Sequence, residues 1–214
     1  MTEAAPQPTL VLDRLDIAYA DQAPLASHWS ATLVPGVTLL FGDTGSGKTT
    51  LLRVFAGEQR ASGRLVLDGI DLDRDERGYR DRVCWLATAD DAHQQTVVDA
   101  LPALLGADEA LWAAHAQAFA LCPHLAKPLY MLSTGSRRKV WLAIALATRR
   151  ALLLLDEPTG ALDAPSIAHL MRALAEAAER RDRIVVVASS QDLPETIALS
   201  ARLELPIQGA TLTR

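Results

Sequence analysis

The sequence of 214 residues has no apolar run long enough to cross a membrane. Its longest uninterrupted apolar stretch, Val140 to Ala147, has eight residues, whereas a spanning helix needs about 20. We therefore interpret 140–147 as a buried helical segment. The N-terminal residues MTEAAPQP lack a basic start followed by an apolar run, so we expect no secretory signal there.

The chain also has only two cysteines and no large excess of charge of one sign. Cys84 and Cys122 lie far apart and outside any metal-type spacing, so we expect reduced, buried thiols in a cytosolic protein. Twenty-one basic and twenty-six acidic side chains give a net charge of −5. This mild acidity, without a basic stripe, argues against nucleic acid as a partner.

Hydrophobic residues make up 50% of the chain, which excludes a disordered or fibrous protein. Short apolar runs predict buried strands at 37–41, 83–87, 152–156 and 184–188. Helical patterns are found at 49–56, 138–150 and 166–181. Because strands alternate with helices, we predict an α/β domain with a mainly parallel sheet.

The remaining segments have weaker patterns. Residues 9–19 alternate apolar and polar side chains and predict one or two strands of a partly exposed sheet, followed by a loop at 20–29. The charge-dense segment 68–82 predicts a solvated surface connection. Residues 96–121 are rich in alanine and leucine and predict short helices, so we expect an inserted helical subdomain at 88–137.

The first motif with clear chemistry satisfies the pattern G-x-x-x-x-G-K-[ST]. Its glycines let the backbone wrap closely, so that consecutive N–H groups point at phosphate oxygens. Lys48 adds a charge for the β and γ phosphates, the Thr49 hydroxyl is a ligand for Mg²⁺, and the following helix turns its positive end on the same anion. The residues predicted to bind a nucleoside triphosphate here are Gly42, Asp43, Thr44, Gly45, Ser46, Gly47, Lys48, Thr49 and Thr50.

The second motif is the apolar run 152–155 followed by Asp156 and Glu157. The strand delivers Asp156 to its carboxyl end, where parallel sheets bind ligands and where the carboxylate reaches Mg²⁺ through water. Glu157 is placed to polarise the water that attacks the γ-phosphate. Taken alone, two carboxylates are equally compatible with a cap on the following turn, whereas together with the phosphate loop they indicate a nucleotide site.

Five landmarks in one order resemble the ATP-binding cassette (ABC) ATPases. They are Tyr19 for the aromatic residue that stacks on adenine, Gly42 to Thr49 for the Walker A loop, Leu132-Ser133-Thr134-Gly135-Ser136 for the signature, Leu152 to Glu157 for Walker B, and Ala161-Leu162-Asp163 for the D-loop. The resemblance implies a phosphate-loop (RecA-like) core at 9–87 and 138–214, with an N-terminal antiparallel β part and the helical subdomain at 88–137. Apart from the resemblance, a tyrosine on an alternating strand is more often half-buried packing.

The resemblance also implies a site shared between subunits. Ser133 and Gly135 open a helix, so a hydroxyl, an N–H group and the helix dipole address the γ-phosphate of ATP held by a second copy or a homologous subunit, with Asp163 in the D-loop. Two ATP molecules with Mg²⁺ then lie in a head-to-tail dimer. The family implies integral membrane permease partners, and thus a cytoplasmic position at the inner face of the membrane. The alternative for Ser133 or Ser136 is an ordinary helix N-cap.

Several positions depart from the family pattern. The glutamine expected to contact Mg²⁺ falls on Thr88, which has a shorter side chain. The switch histidine falls on Gln191, whose amide donates a hydrogen bond to a phosphate but carries no charge near pH 7. The signature has Thr134 for glycine and Ser136 for glutamine. We therefore expect slow hydrolysis, with Glu157 and Gln191 as the catalytic residues.

Our leading prediction is the ATP-binding subunit of an ABC transporter, which binds and slowly hydrolyses ATP to drive separate membrane subunits. Two other functions remain open. One is an ABC-type protein without a transporter, acting as an ATP-gated regulator or clamp with little or no hydrolysis. The other is a phosphate-loop kinase, against which the signature and the D-loop argue.

Overall fold

The computed structural model describes residues 7–18, 24–85 and 91–207. The chain forms two compact units. The first unit comprises Met1–Cys84, Arg150–Glu157 and Ala175–Arg214, and the second unit comprises Trp85–Arg149 and Pro158–Leu174. The boundaries expected for a helical subdomain, 88–137, stay a prediction.

Nine strands and six α-helices are formed by the described residues, with short 3-10 turns between some of them. The strands are β1 Leu10–Ile17, β2 Ala26–Leu33, β3 Gly36–Phe41, β4 Ser62–Leu67, β5 Ile70–Asp71, β6 Val83–Trp85, β7 Leu152–Asp156, β8 Ile184–Ser189 and β9 Leu199–Glu204. The helices are α1 Lys48–Phe55, α2 Glu76–Arg80, α3 Leu101–Leu105, α4 Glu109–Ala118, α5 Thr134–Ala147 and α6 Ala164–Arg180.

A four-stranded sheet with the order β2-β1-β4-β5 forms the N-terminal part of the first unit. β1 pairs antiparallel with β2 and β4, and its residues Leu10, Leu12, Leu15 and Ile17 are buried, as the alternation of 9–19 predicts. The expectation of a loop through 20–29 is wrong from Ala26 onward. Only three of the eight β2 residues are buried, without a regular alternation, and the pairing of β2 with β1 makes it a strand.

A five-stranded sheet has the order β6-β7-β8-β3-β9, and β8 pairs parallel with both β3 and β7. Every residue of β8 is buried, as are five of six in β3, because this sheet is covered on both faces. The short apolar runs therefore predict these strands well. β9 is absent from the prediction because only Ala201 and Leu203 of its six residues are buried, as expected for an edge strand.

Two helices follow the expected burial patterns. Residues 140–147 of α5 are all buried, which confirms the interpretation of this apolar run as a buried helical segment. In α6, the buried apolar residues are Leu170, Ala173, Leu174, Ala177 and Ala178, the spacing of one helix face. Within 7–18, 24–85 and 91–207, no helix combines the length and the apolar character that a membrane crossing requires.

Two smaller expectations need correction. The segment 68–82 is not only a solvated connection, because Tyr79 on α2 is fully buried and its hydroxyl donates a hydrogen bond of 2.8 Å to the carbonyl of Phe55. One aromatic ring thus anchors a segment in which most charged residues are exposed. Cys84 is buried as predicted, whereas Cys122 is exposed at the start of a 3-10 turn.

Candidate nucleotide-binding site

The carboxyl ends of three parallel strands bring the phosphate loop and the two carboxylates to one edge of the five-stranded sheet. β8 lies between β3 and β7, and Leu40, Ala188 and Asp156 occupy one row across the three strands. Ligands of parallel α/β sheets bind at this edge, outside the carboxyl ends of the strands. The three strands belong to the first unit, together with Glu157 directly after β7 and Gln191 after β8.

The loop from Gly42 to Gly47 connects β3 to α1 and leaves no room for side chains at two glycines. A Cβ on Gly42 would lie 2.5 Å from the Ser46 hydroxyl, and a Cβ on Gly47 would collide with the Leu25 side chain. Gly47 also has a φ of 101°, which a residue with a side chain rarely adopts. The sequence pattern of glycines thus has a steric reason in this fold.

Lys48 is the first residue of α1 and is only 5% exposed. Its ammonium donates hydrogen bonds to the carbonyls of Gly42 (2.6 Å) and Asp43 (2.9 Å), and it lies 3.2 Å from the Glu157 carboxylate. A buried cation is costly unless it is paired and hydrogen-bonded, and these three oxygens meet that need. The contacts hold the positive charge over the loop.

Thr49 and Asp156 meet across the same edge. The Thr49 hydroxyl donates a hydrogen bond of 2.6 Å to the Asp156 carboxylate at the end of β7. Hydroxyl and carboxylate oxygens are ligands that Mg²⁺ accepts. The two residues predicted from separate motifs therefore lie side by side.

Glu157 follows β7 directly and has a left-handed backbone with a φ of 41°. Its N–H donates a hydrogen bond of 2.9 Å to the carbonyl of Ala188 on β8, which holds this unusual conformation. The side chain is 41% exposed, so water reaches the carboxylate. A partly exposed base beside a buried cation is suited to acting on a water molecule.

Gln191 lies two residues beyond β8 and is exposed. Its N–H donates a hydrogen bond of 2.9 Å to the hydroxyl of Ser189, which fixes the backbone of this turn. The neighbouring Asp192 forms an ion pair with Arg202 on β9, and Arg202 also covers the ring of Phe41 at 4.4 Å. Sequence reasoning misses Arg202, since only the pairing of β3 with β9 brings it to this edge.

One observation that does not depend on the motif indicates that the loop fits a phosphate group. The Ser46 hydroxyl is buried, and among the described residues it has no hydrogen-bond partner. A buried polar atom of this kind calls for a ligand, and a phosphate oxygen supplies an acceptor. The donor set also suits Mg²⁺, which binds one or two protein oxygens and completes its shell with phosphates and water.

The other predicted residues of the loop differ in exposure. Asp43, Thr44 and Gly45 are exposed, whereas Thr50 on α1 is only 5% exposed. In the described part of the chain, no cluster of three or more His, Cys, Asp or Glu side chains could hold a metal by itself. The predicted adenine contact Tyr19 and the predicted Mg²⁺ contact Thr88 lie outside the described residues.

The signature segment belongs to the second unit, at the start of α5. Ser133 is the N-cap residue of this helix, and its hydroxyl accepts a hydrogen bond of 3.1 Å from the N–H of Ser136. The alternative assignment of Ser133 as a helix cap is thus correct for this structure. Ser133 and Thr134 are exposed, so this helix end is accessible.

The D-loop also belongs to the second unit and contacts the signature helix. The Asp163 carboxylate accepts a hydrogen bond of 2.6 Å from Lys139 on α5 and one of 3.0 Å from the N–H of Ser166 on α6. The hydrogen bond from Lys139, followed by those from Ser166, lowers the pKa of the Asp163 carboxyl to about 2. Lys139 is a second residue that sequence reasoning misses.

Comparison with known proteins gives consistent matches. The ABC transporter family model matches residues 28–160. The cytochrome c biogenesis ATP-binding export protein CcmA of Pseudomonas aeruginosa is 32% identical over 203 residues, covering 90% of this chain and 99% of that protein. The putrescine transport ATP-binding protein PotG of Escherichia coli K12 is 33% identical over 222 residues, covering 97% of this chain but 57% of PotG.

The solved structures agree in fold. A chain described as the ATP-binding subunit of an ABC transporter superposes with a TM-score of 0.77 at 19% identity, covering 92% of this chain and 85% of that chain. The predicted α/β fold, with a phosphate-loop core, a mainly parallel sheet and an antiparallel β part, is therefore confirmed. On these matches, the chain belongs to the ABC transporter family, as an ATP-binding subunit.

Proposed function

We propose that this chain binds and slowly hydrolyses MgATP in a head-to-tail dimer that drives separate membrane subunits. The observation that carries the proposal is the buried Lys48 ammonium, held over a glycine loop within 3.2 Å of the Glu157 carboxylate. In this proposal the Lys48 cation binds phosphate, and the neighbouring Glu157 carboxylate is the base for water. The proposed second subunit is another copy or a homologous ABC chain.

The residues of the first unit hold the nucleotide in this proposal. The loop N–H groups, Ser46 and Lys48 bind the phosphates, and Tyr19 stacks on adenine. Thr49 and Asp156, with Thr88, hold Mg²⁺, which when bound neutralises phosphate charge. The Thr49–Asp156 contact of 2.6 Å supports this assignment, because the two oxygens are already within hydrogen-bonding distance of each other.

Glu157 and Gln191 act on the attacking water and the γ-phosphate. Glu157 accepts a hydrogen bond from the water and orients it for attack, which yields ADP and inorganic phosphate. Gln191 donates its amide hydrogen bond to a γ-phosphate oxygen. Because this amide is neutral, it supports the developing charge less than a histidine, and turnover is slow.

The second unit serves the nucleotide of the partner copy. Ser133, Gly135 and the N-terminus of α5 address the γ-phosphate held by that copy, with Asp163 beside them. Hydrolysis loosens the dimer and moves the permease subunits to which the chain is bound, at the cytoplasmic face of the membrane. Because PotG and CcmA are named for different processes, the proposal includes the ATP-driven step and no cargo.

Lys48→Ala tests this proposal. We expect the affinity for MgATP to fall about 100-fold in calorimetric titration, because charge-assisted contacts to phosphate are lost. Lys127→Ala, which removes the same charge from an exposed position of the second unit, is the matched control and should bind like the wild type. Equal affinity of Lys48→Ala and wild type would overturn the site.

The membrane partner has its own test. Affinity purification of the full chain from its native membranes should recover a polytopic membrane protein in stoichiometric amount. Recovery of the chain alone, under conditions in which MgATP binding and hydrolysis persist, would favour a regulator or clamp without a transporter.

A further inference from the structure

One face of α5 is in contact with the D-loop at two positions. Gly135 has no room for a side chain, because a Cβ there would lie 2.8 Å from the carbonyl oxygen of Ala161. Four residues further, the Lys139 ammonium donates a hydrogen bond of 2.6 Å to the Asp163 carboxylate. Residues four apart lie on the same side of a helix, so Gly135 and Lys139 form one contact surface.

The Asp163 carboxylate joins three structural elements. One oxygen accepts the Lys139 hydrogen bond from α5, and the other accepts the N–H of Ser166 in the first turn of α6. The pKa of this carboxyl is lowered to about 2, so the group stays ionised in neutral solution. A single ionised side chain therefore links the signature helix, the D-loop and the first turn of α6, all of which belong to the second unit.

The D-loop needs such a link because it is exposed. Ala161 is exposed and has a left-handed backbone with a φ of 59°, which is costly for a residue with a side chain. The Asp163 side chain is 56% exposed, whereas that of Lys139 is only 14% exposed. Ion pairs between two fully solvated side chains contribute little, but here the cation is largely buried and the carboxylate is held at both oxygens.

We propose that Lys139 is a positioning residue, which fixes the D-loop against the signature helix so that Ser133, Gly135 and residues 161–163 meet the partner's nucleotide as one surface. This inference rests on the head-to-tail dimer of the proposed function. It assigns to Lys139 an effect on the neighbouring subunit's site and none on the ATP bound by its own subunit.

The test uses the full chain in a Glu157→Gln background, in which we expect turnover to be strongly slowed and the ATP-bound dimer to accumulate. Sedimentation equilibrium gives the dimer dissociation constant at saturating MgATP, and calorimetry on dilute protein gives the ATP affinity of the monomer. The added substitutions are Lys139→Gln, Lys139→Arg, Asp163→Asn, the pair Lys139→Gln with Asp163→Asn, and the control Lys127→Gln.

We expect Lys139→Gln to weaken dimerisation about tenfold, since a charge-assisted hydrogen bond is lost, while the ATP affinity of the monomer stays within about twofold. Lys139→Arg should recover most of the dimer because it keeps the cation. Asp163→Asn keeps the cap on α6 and should weaken the dimer about as much as Lys139→Gln. The dimer of the double variant should be no weaker than that of Lys139→Gln alone, because the two residues act through one contact. Lys127→Gln should dimerise like the parent.

Three results would overturn the inference: an unchanged dimer with Lys139→Gln, losses that multiply in the pair, or an equal loss with Lys139→Arg. If Lys139→Gln does not fold, Lys139→Arg and Asp163→Asn are each compared with the parent. A dimer that is weakened by Asp163→Asn and retained by Lys139→Arg supports the inference, and any other result overturns it. A parent that binds ATP but forms no dimer would instead overturn the proposed dimer, and the inference with it.

Discussion

The two units hold their functional residues in different ways. In the first unit, Lys48 is 5% exposed, Gly42 and Gly47 pack closely against neighbouring side chains, and the two carboxylates lie at the end of a buried strand. In the second unit, Ser133 stands at an exposed helix start, and the Asp163 side chain is 56% exposed. The candidate nucleotide site thus rests on a buried cation and a buried strand, whereas the signature and D-loop depend on a few side-chain contacts.

Because of this difference, we expect ATP binding and dimerisation to respond to different substitutions. The sequence of the first unit's phosphate loop matches its motif fully, while the second unit's signature departs at Thr134 and Ser136. We therefore expect changes in the first unit to alter binding or chemistry in the same subunit. Changes in the second unit should alter dimerisation and turnover and leave ATP affinity intact.

The largest effect within the first unit is expected for Glu157→Gln. The amide cannot act as a base, so the hydrolysis rate should fall by about 10² to 10⁴ in a phosphate-release assay. The affinity for MgATP should be retained, because Lys48, Thr49 and Asp156 are unchanged. A rate equal to wild type would show that the measured activity belongs to a contaminant, and loss of ATP affinity would break the separation of binding from chemistry.

Gly135→Ala sharpens the comparison from the second unit. The new methyl group would meet the Ala161 carbonyl at 2.8 Å, so the helix or the D-loop must move. Turnover should fall about tenfold, comparable to one positioning contact, with ATP affinity unchanged. Normal turnover in this variant would contradict a role for the close contact.

The smallest effect is expected for Gln191→His. In the proposed dimer, a histidine ring would bond both the γ-phosphate and the D-loop of the opposite subunit, so the rate should rise several-fold with little change in ATP affinity. The gain is limited because Thr88 and Thr134 remain. An unchanged rate, in a protein whose activity is abolished by Glu157→Gln, would show that this position does not limit turnover.

Local patterns account for what the sequence predicts. The phosphate loop lies within eight consecutive residues, and the strands of the parallel sheet are continuous apolar runs, so each is visible without knowledge of its neighbours. The two motifs by themselves also assign Thr49 and Asp156 to one site, although the residues lie 107 positions apart in the chain.

The features that the sequence does not predict depend on tertiary contacts. β2 becomes a strand by pairing with β1, and α2 is anchored by Tyr79 beneath a charged surface. The contact of Lys139 with Asp163 spans 24 residues and involves two polar side chains of a kind that is common on surfaces. Periodicity and propensity carry no information on such pairs, because the folded chain alone brings them together.

The shared nucleotide site is tested most directly by the mass of Glu157→Gln in sedimentation experiments with and without MgATP. We predict a monomer without nucleotide and a dimer with it, since in the proposed dimer each ATP is held by the first unit of one copy and the second unit of the other. Adding Lys48→Ala to the same chain should abolish the dimer. A monomer at every protein and nucleotide concentration, with or without membrane subunits, would contradict the shared site.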